Sequence, residues 1–161
     1  MNGSPQGSQT VPAQKLSSRL NSFPQRHLEQ SALLVMSGSF NPVHTQHTRA
    51  MEVARLALER AGWTIVGGVL APSDDSYVQT KTNKHALSFQ RRIELCRLAT
   101  EHADWLFVSS VGDFRTYRVC TTIREQVQQE FAEALQGRTI MGVEVMGSDT
   151  AIRLMRQLVE E

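Results

Sequence analysis

The chain is poor in cysteine, in long apolar runs and in any excess of one charge, and each shortage removes a class of protein. Its two cysteines, Cys96 and Cys120, form no spacing that suggests a disulfide framework or a zinc site. A reducing compartment, cytoplasm or nucleus, is therefore expected. No apolar run approaches the roughly 20 residues that a bilayer-spanning helix needs, and no membrane partner is expected. The formal charge is +1. Residues 1–30 hold Lys15, Arg19 and Arg26 against Glu29 alone, which leaves 14 basic and 15 acidic residues in the remainder. A body without a basic excess gives no electrostatic reason to bind nucleic acid, whereas a small anionic substrate held by a few placed groups stays compatible. No internal repeat is visible. What remains is ordinary: 161 residues, 40% hydrophobic and 20% charged, enough for one domain with a core and short for two.

What the sequence does have is the stretch Ser37-Gly38-Ser39-Phe40-Asn41-Pro42-Val43-His44-Thr45-Gln46-His47. It follows the apolar run Ala32–Met36 and precedes a helical pattern over Thr48–Ala61. A hydrophobic strand that breaks into small residues and re-emerges as a helix is how α/β proteins build a phosphate site. Small side chains let backbone N–H groups approach the phosphate, and the helix N-terminus adds a favourable dipole. Two histidines at the mouth of that helix can donate to phosphate oxygens. They could also be metal ligands, but no third ligand stands at a recognisable spacing, and no protein-held metal is expected.

Residues 1–30 are rich in Ser, Gln, Asn, Gly and Pro and read as a disordered leader ahead of one domain over 31–161. Leu16, Leu20 and Phe23 can share one helical face in this acid-poor segment. A mitochondrial transit peptide therefore stays open beside an unstructured tail, which the shortness of the stripe favours. From Ser31 the chain alternates. Strands are expected at Ala32–Met36, Thr64–Leu70, Trp105–Ser109 and Thr139–Val145. Helices are expected at Thr48–Ala61, with Ala50, Val53, Ala54, Ala57 and Ala61 on one face, and at Ser88–His102, whose inner face would carry Phe89, the stem of Arg92, Ile93 and Cys96. Two more follow at Arg118–Leu135 and Ser148–Glu160, the last with Ile152, Met155 and Leu158 in line. Ser73–Lys84 reads as a polar loop. This order implies an α/β domain, a Rossmann-like parallel sheet with helices on both faces. The segments after the four strands then converge on the carboxyl ends, where such sheets bind ligands.

The stretch from Gly38 to His47 resembles the nucleotidylyltransferase signature, Gly-[Ser/Thr]-Phe-Asn-Pro-x-His-x-x-His, with every position filled. Ala71-Pro72 with Asp75 and Tyr77, Arg91-Arg92 with Leu98-Ala99-Thr100, Asp104-Trp105 and Gly147-Ser148-Asp149 extend the likeness to the nicotinamide or nicotinic acid mononucleotide adenylyltransferases over most of the chain after Gln30. The resemblance implies adenylyl transfer from ATP to the mononucleotide, giving NAD or its deamido form and pyrophosphate, with Mg²⁺ shared among the phosphates. It implies that Gly38, Ser39, Phe40 and Asn41 hold the nucleotide, that His47 binds the ATP phosphates with His44 in support, and that Gly147 and Asp149 complete the nucleotide site. For the mononucleotide it points to Tyr77 and Lys81, and to Tyr117 and Arg118, where stacking and a carboxylate partner are expected.

Several residues have a plainer reading. Lys81 and Lys84 sit where solvated lysines are the norm, Trp105 starts an apolar strand and reads as core, and Asp149 can cap the last helix. Cys96 lies on an apolar helical face and reads as packing. The family also continues with a fifth strand and a second phosphate-binding motif that does not occur before Glu161. The expectation is therefore a last strand–helix portion that is missing, and a fourth strand whose unpaired edge leaves homo-oligomerisation open. A catalytically impaired nucleotide-binding or scaffold protein, or a shortened isoform, is the alternative.

Overall fold

A computed structural model of the chain describes residues 13–82, 85–113 and 115–159. Residues 1–12 of the expected leader, and Lys84, lie outside that description. In chain order the elements are helix α1 (Ala13–Ser22), strand β1 (Ser31–Gly38), α2 (Thr45–Arg60), β2 (Thr64–Pro72), α3 (Asp75–Thr82), α4 (Phe89–Ala99), β3 (Leu106–Val108), α5 (Thr116–Glu130), α6 (Ala132–Leu135), β4 (Met141–Glu144) and α7 (Ser148–Val159). The four strands form one sheet in the order β3-β2-β1-β4, and every pairing is parallel.

The two-residue period of β1 sorts its side chains between two cores. Leu33 and Val35 join Val66, Val69 and Phe107 under α1, α5 and α6. Ala32, Leu34 and Met36 join Ile65, Leu70 and Trp105 over α2 and α4. With both faces covered, the central strands read as nearly continuous apolar runs. This is the Rossmann-like parallel sheet with helices on both faces that the alternation implies. Trp105 is 4% exposed and sits over Gly68, where a Cβ atom would come within 2.5 Å of its ring. It is core, at the amino end of β3 and away from the strands' carboxyl ends.

The leader is corrected from Ala13 onward. Leu16 and Leu20 are fully buried with Phe23 packed beside them. Lys15 donates to the Ala103 carbonyl, and Arg19 donates to the carbonyls of Ile65 and Val66. A three-residue apolar stripe is too short to hold a helix in water, but here it meets the sheet and α6 and is stabilised by burial. On α2 the inner face is Ala50, Met51, Ala54 and Leu58, whereas Val53 is 59% exposed. The larger Met and Leu side chains gain more from burial than the alanines and turn the helix toward themselves. The expected helix Arg118–Leu135 begins at Thr116 and is interrupted at Phe131, whose φ of −109° and ψ of 24° leave the helical range. Ile152 and Met155 of α7 line up as expected but are exposed.

The link from β3 to β4 carries the chain past β2 and β1 to the opposite edge. Strand order therefore reverses between β1 and β4, and a crevice opens there beyond the carboxyl ends.

Candidate active site

A cleft of about 230 Å³ occupies that crevice. It is lined by Ser37, Gly38 and Ser39 from the end of β1, by Ser73, Tyr77 and Lys81 after β2, by Thr116 after β3, and by Asp149 and Thr150 after β4. All four post-strand segments contribute, as parallel topology requires. A larger open groove of about 760 Å³ lies at the far end of α5 against α1, floored by Leu20, Phe23, Leu28 and Phe131. It holds none of the signature residues.

The loop after β1 is built tightly. Phe40 is 2% exposed at a positive φ of 44°, a conformation that side chains other than glycine rarely adopt. The Gly38 carbonyl accepts from the Ser73 N–H at 2.9 Å, and the Asn41 carboxamide oxygen accepts from the Leu87 N–H at 2.8 Å. A Cβ on Gly38 would make only an ordinary contact with the Phe40 ring at 3.6 Å. Packing therefore does not demand glycine there. What its bare backbone offers is close approach from the cleft.

His44 precedes α2 in extended conformation, and its N–H donates to His47 Nδ1 at 3.1 Å. A histidine thus takes the place of the acidic or amide side chain that reaches back in a capping box. Because Nδ1 accepts, the proton of the neutral ring belongs on Nε2, which is left as a donor. The two rings lie 3.8 Å apart at 33°, and the Phe40 ring stands edge-on to His47 at 4.9 Å. Burial, and then the neighbouring His44, hold the His47 imidazole below its ordinary pKa.

Helix α3 replaces part of the expected polar loop Ser73–Lys84. Its N-terminus is capped by Asp74, whose carboxylate accepts from the Tyr77 N–H at 2.8 Å and from the Ser76 hydroxyl at 2.6 Å. These bonds, the hydroxyl first, hold the Asp74 carboxyl below its usual range. The helix sets Tyr77 and Lys81 one turn apart on the cleft side, with Lys81 Nζ 5.0 Å from the Tyr77 ring centre.

Behind both segments stands Arg92, fully buried. It donates to the Ser39 carbonyl at 2.8 Å, to the Leu87 carbonyl at 3.0 Å and to Asp75 at 3.0 Å. Across the cleft, Asp149 turns its carboxylate back over Gly147. A Cβ on Gly147 would lie 2.7 Å from Asp149 Oδ1, so a side chain there would displace the carboxylate.

The structure thus gathers Gly38, Ser39, Tyr77, Lys81 and Asp149 in one cleft. Phe40, Asn41, His44 and His47 lie on the adjoining loop and helix end. Tyr117 and Arg118 are not among the lining residues. Tyr117 is 59% exposed, and its hydroxyl accepts from the Arg118 guanidinium at 3.1 Å. That hydrogen bond and charge lower the phenol's pKa. Residues that the sequence reading did not single out are Ser73, Thr116 and Thr150 in the lining; Ser37 opens the signature stretch, and Arg92 was expected on the inner face of α4 without its anchoring partners. Ser73, Thr116 and Thr150 all follow strands, which places them in the converging segments, but nothing further in the sequence set them apart. Cys96 and Cys120 are buried free thiols, pushed up to about 12 and about 11 by that burial. Among the described residues no three His, Cys, Asp or Glu side chains gather where they could hold a metal ion.

Residues 35–160 match the cytidylyltransferase-like family model. The chain belongs to that family. As a member it falls within the nucleotidyltransferase superfamily, whose nucleotide-binding theme suits a cleft of this construction. Among curated proteins, the nicotinamide/nicotinic acid mononucleotide adenylyltransferase of Oryza sativa subsp. japonica is 41% identical over 46 residues, 29% of this chain and 18% of the relative. The protein of the same name from Arabidopsis thaliana is 38% identical over 61 residues, 38% of this chain and 24% of the relative. The matched segments therefore span about a quarter of those relatives or less.

Proposed function

We propose that this cytidylyltransferase-like protein transfers the adenylyl group of ATP to nicotinamide or nicotinic acid mononucleotide. What carries the reading is the placement of the signature loop at the strand-order reversal, with His47 presenting an Nε2 donor beside it. The two plant relatives supply the choice of substrate.

In this reading a phosphate oxygen of the mononucleotide attacks the α-phosphorus of ATP. The new P–O bond forms as the bond from the α-phosphorus to the bridging oxygen breaks, and pyrophosphate leaves with that electron pair. No protein nucleophile is needed, so catalysis is positioning plus stabilisation of charge on the phosphoryl oxygens. The backbone at Gly38–Phe40 cradles phosphate, and His47 Nε2–H donates to a phosphate oxygen where charge develops. Lys81 and Tyr77 receive the mononucleotide, and Asp149 accepts from ribose hydroxyls. Mg²⁺ would enter on the triphosphate oxygens and neutralise their charge.

The test is NAD formation from ATP, Mg²⁺ and nicotinamide mononucleotide in a coupled dehydrogenase assay, with His47→Ala alongside. Turnover abolished by that substitution supports the reading. Absence of turnover together with calorimetric binding of ATP would replace it with a nucleotide-binding role.

A further inference from the structure

The geometry points to Arg92 as a positioning residue that fixes the signature loop and helix α3 in one arrangement. A guanidinium has five N–H donors in a rigid plane. Here three of its nitrogens serve three different segments: Ser39 in the loop after β1, Leu87 before α4, and Asp75 in the first turn of α3. The Arg92 side chain is 0% exposed, whereas that of Asp75 is 42% exposed. The arginine is thus rooted in the core and holds a partner at the surface. A buried charge in this setting is tolerated because it is paired and its donors are used.

Two consequences follow. The peptide after Ser39 is planar and trans, so drawing its carbonyl toward Arg92 turns the Phe40 N–H the opposite way. The direction of a backbone donor in the signature loop is therefore set from α4. The second consequence concerns α3, which buries only Val78. A helix with one buried side chain has little apolar packing to fix its orientation, and the Asp75–Arg92 ion pair supplies a second point. Tyr77 and Lys81 then stand at a fixed distance from the loop. As a claim about substrate binding this rests on the adenylyl-transfer reading above. As a claim about α3 and the loop it does not.

The experiment uses the whole chain and two kinds of readout. Amide hydrogen exchange should quicken over residues 75–82 in Asp75→Ala by about tenfold, the factor for one lost charge-assisted bond, with β2 unchanged. Asp75→Asn retains an acceptor and should recover part of the protection. Arg92→Lys, with a single ammonium in place of the fork, should quicken exchange over both 37–41 and 75–82. If Arg92→Lys does not fold, Asp75→Ala alone decides. Unchanged exchange over 75–82 in Asp75→Ala, or an equal rise throughout the sheet, overturns the proposal. In the transfer assay Asp75→Ala should raise KM for the mononucleotide about tenfold while kcat and KM for ATP stay within about twofold. A uniform loss, or none, overturns the positioning role. A wild-type chain that forms no NAD sinks the reaction instead, and the exchange result still decides on Arg92.

Discussion

The near wall of the cleft, made of the loop after β1 and helix α3, is tied from behind. Ser39 is held by Arg92, Gly38 by the Ser73 N–H, Asn41 by the Leu87 N–H and Tyr77 by Asp74. The far wall, made of the end of β4 and the start of α7, has few such ties among the described residues. Strand β4 lies at an edge of the sheet with no residue fully buried, and none of α7's described side chains is buried. The opposite sheet edge shows the contrast again, since all three residues of β3 are buried. Groups already held in their binding geometry lose little entropy when a ligand arrives, whereas groups on a lightly packed element must be ordered by it. In the proposed transfer, phosphate orientation would therefore fall to the near wall, and the far wall would contribute contact more than alignment.

The largest effect should come from the near wall. His47→Ala removes the Nε2 donor and the Nδ1 acceptor of the His44 N–H together. It should lower kcat for adenylyl transfer by about 10²–10³-fold, the range found when one donor to a developing oxyanion is deleted. A loss below tenfold in the steady-state assay would mean that another group carries the charge. Next in size is Asn41→Ala, which cuts the tie between the loop and the segment before α4. It leaves the Leu87 N–H without its acceptor, which costs about 1 kcal/mol at this half-buried position. Urea unfolding should show that loss, and KM for ATP should rise about tenfold as the loop slackens. If stability falls while KM is unmoved, the near wall is not aligned by its ties and the comparison fails.

On the far wall Asp149→Asn should be milder. The carboxylate is exposed at the first turn of α7, and exposed charges contribute weakly, so KM should rise about three- to fivefold with kcat unchanged. A larger effect than that of Asn41→Ala would reverse the assignment of the two walls.

The difference between the walls also decided what could be read in advance. The near loop was legible because its residues are consecutive: an apolar strand, small residues, two histidines and a helix fix its place without tertiary knowledge. Helix α3 was not, because Asp75–Thr82 is polar on nearly every side and buries Val78 alone. Polar helices give no periodic signal. The helix at Ala13–Ser22 did carry one, in Leu16, Leu20 and Phe23. Composition pointed the other way, and only the sheet and α6 beyond it make that stripe stable. The Arg92 stem was expected on the inner face of α4, but its three partners come from segments up to 53 residues away. No spacing rule reaches that far. On the far wall Asp149 was legible from its place after a strand, whereas Thr116 and Thr150 were invisible because small polar residues at helix starts have caps as their default role.

The smallest effect tests whether the near wall also controls protonation. Burial first, and His44 second, hold the His47 pKa below the ordinary value for histidine, which is about 6.5. A second proton would have to take the Nδ1 that accepts from the His44 N–H. Between the lowered pKa and the ordinary one, the unfolded chain therefore binds more protons than the folded chain. The slope of unfolding free energy with pH is then positive, so stability falls as pH drops through that window and levels off below it. Above the window the contribution is absent. His47→Gln keeps an oxygen that can accept from the His44 N–H, as a capping-box glutamine does, but it does not titrate. Urea midpoints at pH 7.5 and pH 5.0 should therefore differ less for His47→Gln than for the wild type. The carboxylates elsewhere titrate equally in both proteins and cancel in that difference. Equal pH dependence in the two would mean that burial and the neighbouring His44 do not hold the ring's pKa down.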